Sequence, residues 1–176
     1  MSYSEIKLKK IIEEYRLMYE KFDEEFAYKL MELFGLNKKA KIKNLSKGQE
    51  TIFNFCCGMA TRADITILDE PVSGVDAISR NKIYEIILRD YIEHPRTILI
   101  SSHMLGEMEK ILSHMIMIGN NDVLFAGDIE ELKDSVYRVD GELANIEKYC
   151  EEKKFYIRKI RHWELWQLSK ADLTKR

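Results

Sequence analysis

The sequence predicts an α/β fold, with a helical segment ahead of it and a small α+β appendage behind it. Three observations lead there. Short apolar runs at 65–68 ("ITIL") and 97–100 ("TILI") alternate with amphipathic stretches, and apolar strands separated by helices are the mark of a parallel sheet covered on both faces. Residues 4–34 instead carry their apolar side chains at helix spacing. Beyond about residue 135 the pattern changes again, to short aromatic-bearing strands around a polar stretch. The boundaries that follow are 1–44 for the helical part, 45–134 for the α/β part and 135–176 for the appendage.

The elements run in this order. Tyr15, Met18 and Phe22 recur on one helix face; after Asp23, a plausible N-cap, Phe26, Leu30 and Leu33 do the same. Gly35 stands where a helix would end in a left-handed residue. The basic stretch 37–44 ("NKKAKIKN") reads as a solvated linker. Ile52, Phe55, Cys56 and Met59 form the stripe of the next helix, which leads into the strand at 65–68. A helix carrying Ile83, Ile86 and Ile87 leads to the strand at 97–100, and Leu105, Met108 and Ile111 line a third helix. "MIMIGNNDVLFAG", 115–127, predicts a hairpin turning at 119–122. In the appendage, "YRVDG", a polar helix at about 142–153, "FYIRKIRH" and "WELWQL" predict a strand–helix–strand unit, with Tyr156, Trp163 and Trp166 as its own small core. No internal repeat or low-complexity tract interrupts the chain.

Composition narrows the partners. Twenty-eight basic and thirty acidic residues leave a formal charge of −2, which gives no reason to expect nucleic acid or an anionic membrane as a direct partner. No apolar run nears the roughly 18 residues that span a bilayer, and "MSYSEIKLKK" lacks the apolar centre of a secretion signal. Three cysteines, two of them adjacent (Cys56, Cys57), make neither a disulfide framework nor a CxxC metal pair. The expectation is a soluble cytoplasmic protein.

Four short elements carry the chemistry. "LSKGQ", 45–49, precedes a helix; its serine and glycine leave a hydroxyl and backbone N–H groups at a helix N-terminus, which suits phosphate, although Ser46 alone reads as an ordinary cap. "ITILDEP" ends a buried strand in Asp69 and Glu70. One carboxylate there can serve the water shell of a Mg²⁺ ion and the other a water that attacks phosphorus; the plainer reading is two acids capping the next turn. "SGVD", 73–76, gives a tight turn at Gly74 and a possible helix cap in Asp76. "TILISSHM" sets His103 after a second strand. A lone histidine is often structural, but the carboxyl end of a parallel strand is where open α/β sheets bind ligands.

In this order and spacing the set resembles the ATP-binding subunit of an ABC transporter over roughly residues 3–135. "LSKGQ" resembles the signature, "ITILDE" the Walker B strand, "SGVD" the D-loop and "SSH" the switch histidine. The hairpin and "AGDIEELK" resemble the segment that follows that histidine, and 19–49 is similar to the helical subdomain of bacterial members. The resemblance implies part of a P-loop NTPase core. It implies ATP and Mg²⁺ as cofactors of the complete domain, with Asp69 orienting the metal through its water shell. Glu70 would position or polarise the hydrolytic water, and His103 would contact the γ-phosphate. Ser46, Gly48 and Gln49 would complete the site of an opposing subunit, with Asp76 connecting the two sites. The implied partners are a membrane-spanning transporter subunit and a second ATP-binding subunit, identical or not, at the inner face of the cell membrane.

The resemblance also shows what the sequence does not contain. A G-x-x-x-x-G-K-[ST] loop precedes these motifs in the family. The eight glycines here (35, 48, 58, 74, 106, 119, 127, 141) begin no such pattern. The Q-loop glutamine, the adenine-stacking aromatic and a central strand would also lie upstream. At the position three after Gln49, where the family usually has a basic residue, stands Ile52, and Lys47 replaces a signature glycine. The expectation is a shortened or remnant ATPase rather than a natural half-domain, because Glu70 and His103 are retained. By itself it would bind Mg-ATP negligibly and would self-associate through an open sheet edge. Two other readings compete. An SMC-type chromosome or repair ATPase shares the four elements but carries long heptads ahead of the signature, where only about thirty helical residues stand here. A non-catalytic interaction module would use the helical face or the appendage.

Overall fold

The computed structural model describes residues 5–119, 121–139, 155–161 and 164–169, together with 145 and 148. The chain divides into two compact units, Met1–Ile111 and Leu112–Arg176.

The first unit opens with two helices, α1 (Leu8–Met18) and α2 (Glu24–Leu33). The break between them is set by Asp23, whose carboxylate accepts from the N–H of Phe26 at 2.9 Å, as an N-cap does. Past α2, Gly35 takes the left-handed φ of 66° that ends the helix. Leu8, Ile11 and Ile12 from α1 and Ala27, Leu30 and Met31 from α2 are buried. Residues 37–44 depart from the expected free linker. The first N–H groups of a helix have no partner within it, and here Leu8 and Lys9 donate theirs to the carbonyls of Ala40 and Lys38, both at 3.0 Å. An antiparallel bridge between Lys7 and Lys41 and a 3₁₀ turn at Ile42–Asn44 complete the strap.

Helix α3 (Lys47–Ala60) packs against α2 and against strand β1 (Ile65–Asp69). Placed between two layers, it buries Ile52, Phe53, Phe55, Cys56, Cys57 and Met59, more than a one-sided stripe would. Burial pushes the Cys57 thiol up to about 12 and raises that of Cys56 as well, so both behave as core residues. Helix α4 (Ala77–Glu93), strand β2 (Thr97–Ser101) and the single turn α5 (Leu105–Met108) follow. The expected third helix therefore stops at the buried Met108 and does not reach Ile111.

Strands β1 and β2 are parallel, as the sequence predicts, in register from Ile65↔Thr97 to Asp69↔Ser101. Coverage on both faces is not found among the described residues. Thr66 and Leu68 are buried on the side of α3, whereas Ile65, Ile67 and Leu99 on the other face are 60%, 71% and 50% exposed. A parallel sheet needs layers on both sides to bury such residues, and the described residues supply one.

An ion cluster joins the layers. Arg62, at a φ of 52° just after α3, places its guanidinium between Asp90 of α4 and Asp23, 4.2 Å from the centre of the Phe26 ring. Arg96 reaches Asp90 at 2.7 Å and the Thr66 hydroxyl at 3.2 Å. Asp90 is 4% exposed, and two guanidiniums share it.

In the second unit β3 (His114–Gly119) and β4 (Asp122–Asp128) form the expected hairpin, closing at Gly119↔Asp122 with Asn121 at a φ of 59°. Helix α6 (Ile129–Ser135) follows, then β5 (Val136–Val139), β6 (Phe155–Arg161) and β7 (Glu164–Ser169), antiparallel in the order β5-β7-β6. The appendage thus has three strands. The helix expected at 142–153 and Trp163 lie outside the described residues, apart from helical positions 145 and 148.

Candidate functional site

The carboxyl ends of β1 and β2 bring the acidic pair and the histidine together. In-register pairing places Asp69 opposite Ser101, and the Ser101 hydroxyl donates to Asp69 Oδ1. Glu70, one residue past the strand, adopts a φ of 44°, a left-handed conformation that costs a non-glycine residue about 1–3 kcal/mol. Its N–H is held by Ser101 twice, at 3.2 Å to the carbonyl and 3.0 Å to Oγ. This backbone turns the Glu70 side chain towards the next loop, where His103 Nδ1 lies 2.9 Å from Oε1. The second oxygen, Oε2, is out of contact with solvent and has no hydrogen-bond partner among the described residues.

The loop bearing His103 is anchored on both sides. Ser102 Oγ accepts from the N–H of Met104 at 3.0 Å. Arg80 of α4 lies 3.5 Å from Glu107 and donates to Met104 Sδ at 3.1 Å. Burial, with the Glu107 carboxylate close by, raises Tyr84 beside this anchor.

The glycine-bearing motifs meet at the other end of α3. Ser46 is the N-cap: its Oγ accepts from the N–H of Gln49, whose Oε1 accepts in return from the N–H of Ser46, a complete capping box. The Gln49 side chain is thereby committed to the cap. Gly48 packs on the turn at 73–75 so closely that a methyl group in its place would collide with the Gly74 carbonyl, and Thr51 Oγ1 donates to the Ser73 carbonyl at 3.0 Å. Asp76 caps α4, accepting from Ile78 and Ser79 at 3.1 and 3.0 Å. The hydrogen bonds from Ser79 draw its carboxyl below the ordinary value.

Sequence reasoning assigned no role to Ser101, the residue that touches both acids. Two serines before His103 are visible in the sequence, but which one faces Asp69 depends on strand register, and register is a property of the folded sheet. No group of three or more metal-ligating side chains occurs among the described residues. A divalent ion beside Asp69 would take its other oxygens from water and phosphate, which is how Mg²⁺ is commonly held. A groove of about 610 Å³ runs along β1, at the edge that pairs with no other strand among the described residues, from Tyr15 and Tyr19 past Phe55 and Ile67 to Glu70.

No protein-family model matches the chain. Known proteins do. The chain is 27% identical over 137 residues to the ABC transporter ATP-binding protein YtrB of Bacillus subtilis, covering 78% of this chain and 47% of the relative. It is 32% identical over 123 residues to NatA, an ABC transporter ATP-binding protein of the same organism, covering 58% and 50%. A solved ATP-binding subunit of an ABC transporter superposes with a TM-score of 0.67 at 20% identity, over 76% of this chain and 57% of that one. The chain matches part of an ABC transporter ATP-binding subunit. It spans about half, or less, of the length of the curated relatives it matches. The fold of the chain is that of an ABC ATPase core in part, and no helix among its described residues is long and apolar enough to cross a membrane.

Proposed function

We propose that this chain supplies the carboxylate and imidazole side of an ATP-hydrolysing site, in an ABC transporter subunit that drives a separate membrane-spanning chain. The observation that carries this reading is the convergence of Asp69, Glu70 and His103 at the carboxyl ends of two parallel strands. Phosphoryl transfer to water needs positioning and charge neutralisation more than covalent help, and the three groups divide that work. Asp69, held by Ser101, would contribute a carboxylate to the water shell of a Mg²⁺ ion. Glu70 fixes one oxygen on His103, and its Oε2, shielded from solvent and without a hydrogen-bond partner among the described residues, is an acceptor suited to orienting the attacking water. His103, 74% exposed, turns Nε2 outward as the group that would meet the γ-phosphate. ATP and its Mg²⁺ supply the reacting phosphate and its charge neutralisation when bound.

The same reading assigns Ser46, Gly48 and Gln49, with Asp76, to the face offered to a second ATP-binding subunit, homo- or heterodimeric, and the α1–α2 pair to the membrane-spanning partner. The protein would then work in the cytoplasm, at the inner face of the membrane. No nucleic-acid partner is expected. The bare face of Ile65, Ile67 and Leu99 and the groove along β1 support the further expectation that this chain alone neither binds nor hydrolyses ATP appreciably. A phosphate-binding loop and the strands that carry it would complete the sheet there.

The test joins the preceding half of the Bacillus subtilis relative YtrB ahead of residue 1. The chimera is expected to hydrolyse ATP with Mg²⁺, and Glu70→Gln to abolish turnover while ATP binding persists. Calorimetric titration of the chain by itself should give no saturable heat with Mg-ATP. Saturable binding by the lone chain, or a chimera that turns over equally with Glu70→Gln, would overturn the reading.

A further inference from the structure

We propose that Ser101 is a positioning residue of the site, a group that sets both acidic side chains at once. Three hydrogen bonds meet on it. Its hydroxyl donates to Asp69 Oδ1. Its Oγ also accepts from the N–H of Glu70 at 3.0 Å, and its carbonyl accepts from the same N–H at 3.2 Å. A hydroxyl is the smallest side chain that donates and accepts together, and both capacities are used here in opposite senses by adjacent residues. Alanine would keep the carbonyl contact alone.

The consequence for Glu70 follows from its backbone. At a φ of 44° an unconstrained glutamate relaxes towards the ordinary regions. Relaxation would turn its side chain away from His103, whose Nδ1 lies 2.9 Å from Oε1 in the held conformation. The paired register of β1 and β2 brings Ser101 to this place, so the strand pairing is converted into the aim of a side chain. The inference rests on the reading of Glu70 and His103 as the hydrolytic pair, but its geometric part is independent of any nucleotide.

The experiment uses the full chain, labelled with ¹⁵N, at a pH where histidine is neutral. The His103 ring is expected to carry its proton on Nδ1, facing the Glu70 carboxylate, and the Glu70 amide to be protected. Ser101→Ala should move the ring towards the Nε2 proton form and speed exchange of the Glu70 amide by about fivefold, the worth of one hydrogen bond. Amides of 66–68 in the strand interior, exchanging as before, show that the sheet has folded. Ser101→Thr keeps the hydroxyl and should restore both signals; it also provides the folded comparison if the alanine variant does not fold. In the chimera described above, Ser101→Ala should lower kcat about tenfold or more at unchanged KM, the mark of a misplaced reacting group. A ring form and amide exchange untouched by Ser101→Ala would overturn the inference, as would Thr behaving like Ala. A chimera with no turnover beside a chain with the expected NMR signals would instead remove the hydrolytic reading and leave the positioning role standing.

Discussion

The two sides of the first unit are built to different degrees of completeness. Between α1, α2 and α3 the packing is closed: Leu8, Ile12, Phe53, Cys56 and Met59 are each at most 1% exposed. Across the sheet, Ile65, Ile67 and Leu99 stand largely in water although they belong to strands as apolar as any core. The same residue types thus meet opposite environments about one strand thickness apart. Closed packing needs only what is present in the chain. Among the described residues no second layer covers the open face, as burial of its apolar side chains would require.

The largest effects should come from breaking the closed side. Removing the fully buried Phe53 side chain leaves a cavity in the core, and Phe53→Ala is expected to cost about 3–5 kcal/mol in denaturant unfolding. Ile67→Ala, an equal insult by chemistry, should change stability by no more than about 0.5 kcal/mol, because its side chain is already in water. If the two substitutions cost alike, the open face is covered in solution and the comparison fails. Removing the shared carboxylate of the ion cluster by Asp90→Asn should cost about 3–5 kcal/mol, since the buried Arg96 loses its countercharge and Arg62 keeps only Asp23.

The outcome of reading the sequence divides along the same line. Asp23 and Gly35 announced the ends of α2, because capping and left-handed turns are local chemistry, and the stripe of α3 was plain from its spacing. Parallel pairing was legible too, in two apolar runs separated by a helix. Coverage on both faces is not seen among the described residues: a run such as "ITIL" states that both faces want burial, and does not state which residues supply the layers. The strap at 37–44 was read as a solvated linker because its lysines hide a role played by backbone carbonyls. At the candidate site the residue types Asp69, Glu70 and His103 were legible, and the structure brings these three together. Ser101 was not, since a one-residue change of register would give its place to Ser102.

A moderate effect is expected where the motifs at 48 and 74 touch. Gly48→Ala drives a methyl group into a backbone carbonyl, which cannot swing aside as a side chain can, and overpacking of this kind costs about 1–3 kcal/mol. The change should also loosen the 73–75 turn, read as faster amide exchange at Val75, whose N–H donates to Val72 at 3.2 Å. A neutral Gly48→Ala would mean that α3 and the turn are not clasped.

The smallest effect concerns the strap that closes the α1 side. Hydrogen bonds from Lys41, the larger influence, and from Lys43 hold the Glu5 carboxyl at about 2 instead of 4.5. A carboxyl whose value is lower in the folded state favours folding above its ordinary value, and that contribution disappears as the pH falls from about 4.5 towards 2. Glu5→Gln should therefore lower stability by a constant amount above about pH 4.5, a difference that closes as the pH falls towards about 2. Because the pair is exposed, added salt should erase most of the difference between the two proteins. A Glu5→Gln variant that follows the parent curve at low salt would mean that residues 38–41 are held by backbone bonds, those from Leu8 and Lys9 among them, and that the closed side is closed without help from charge.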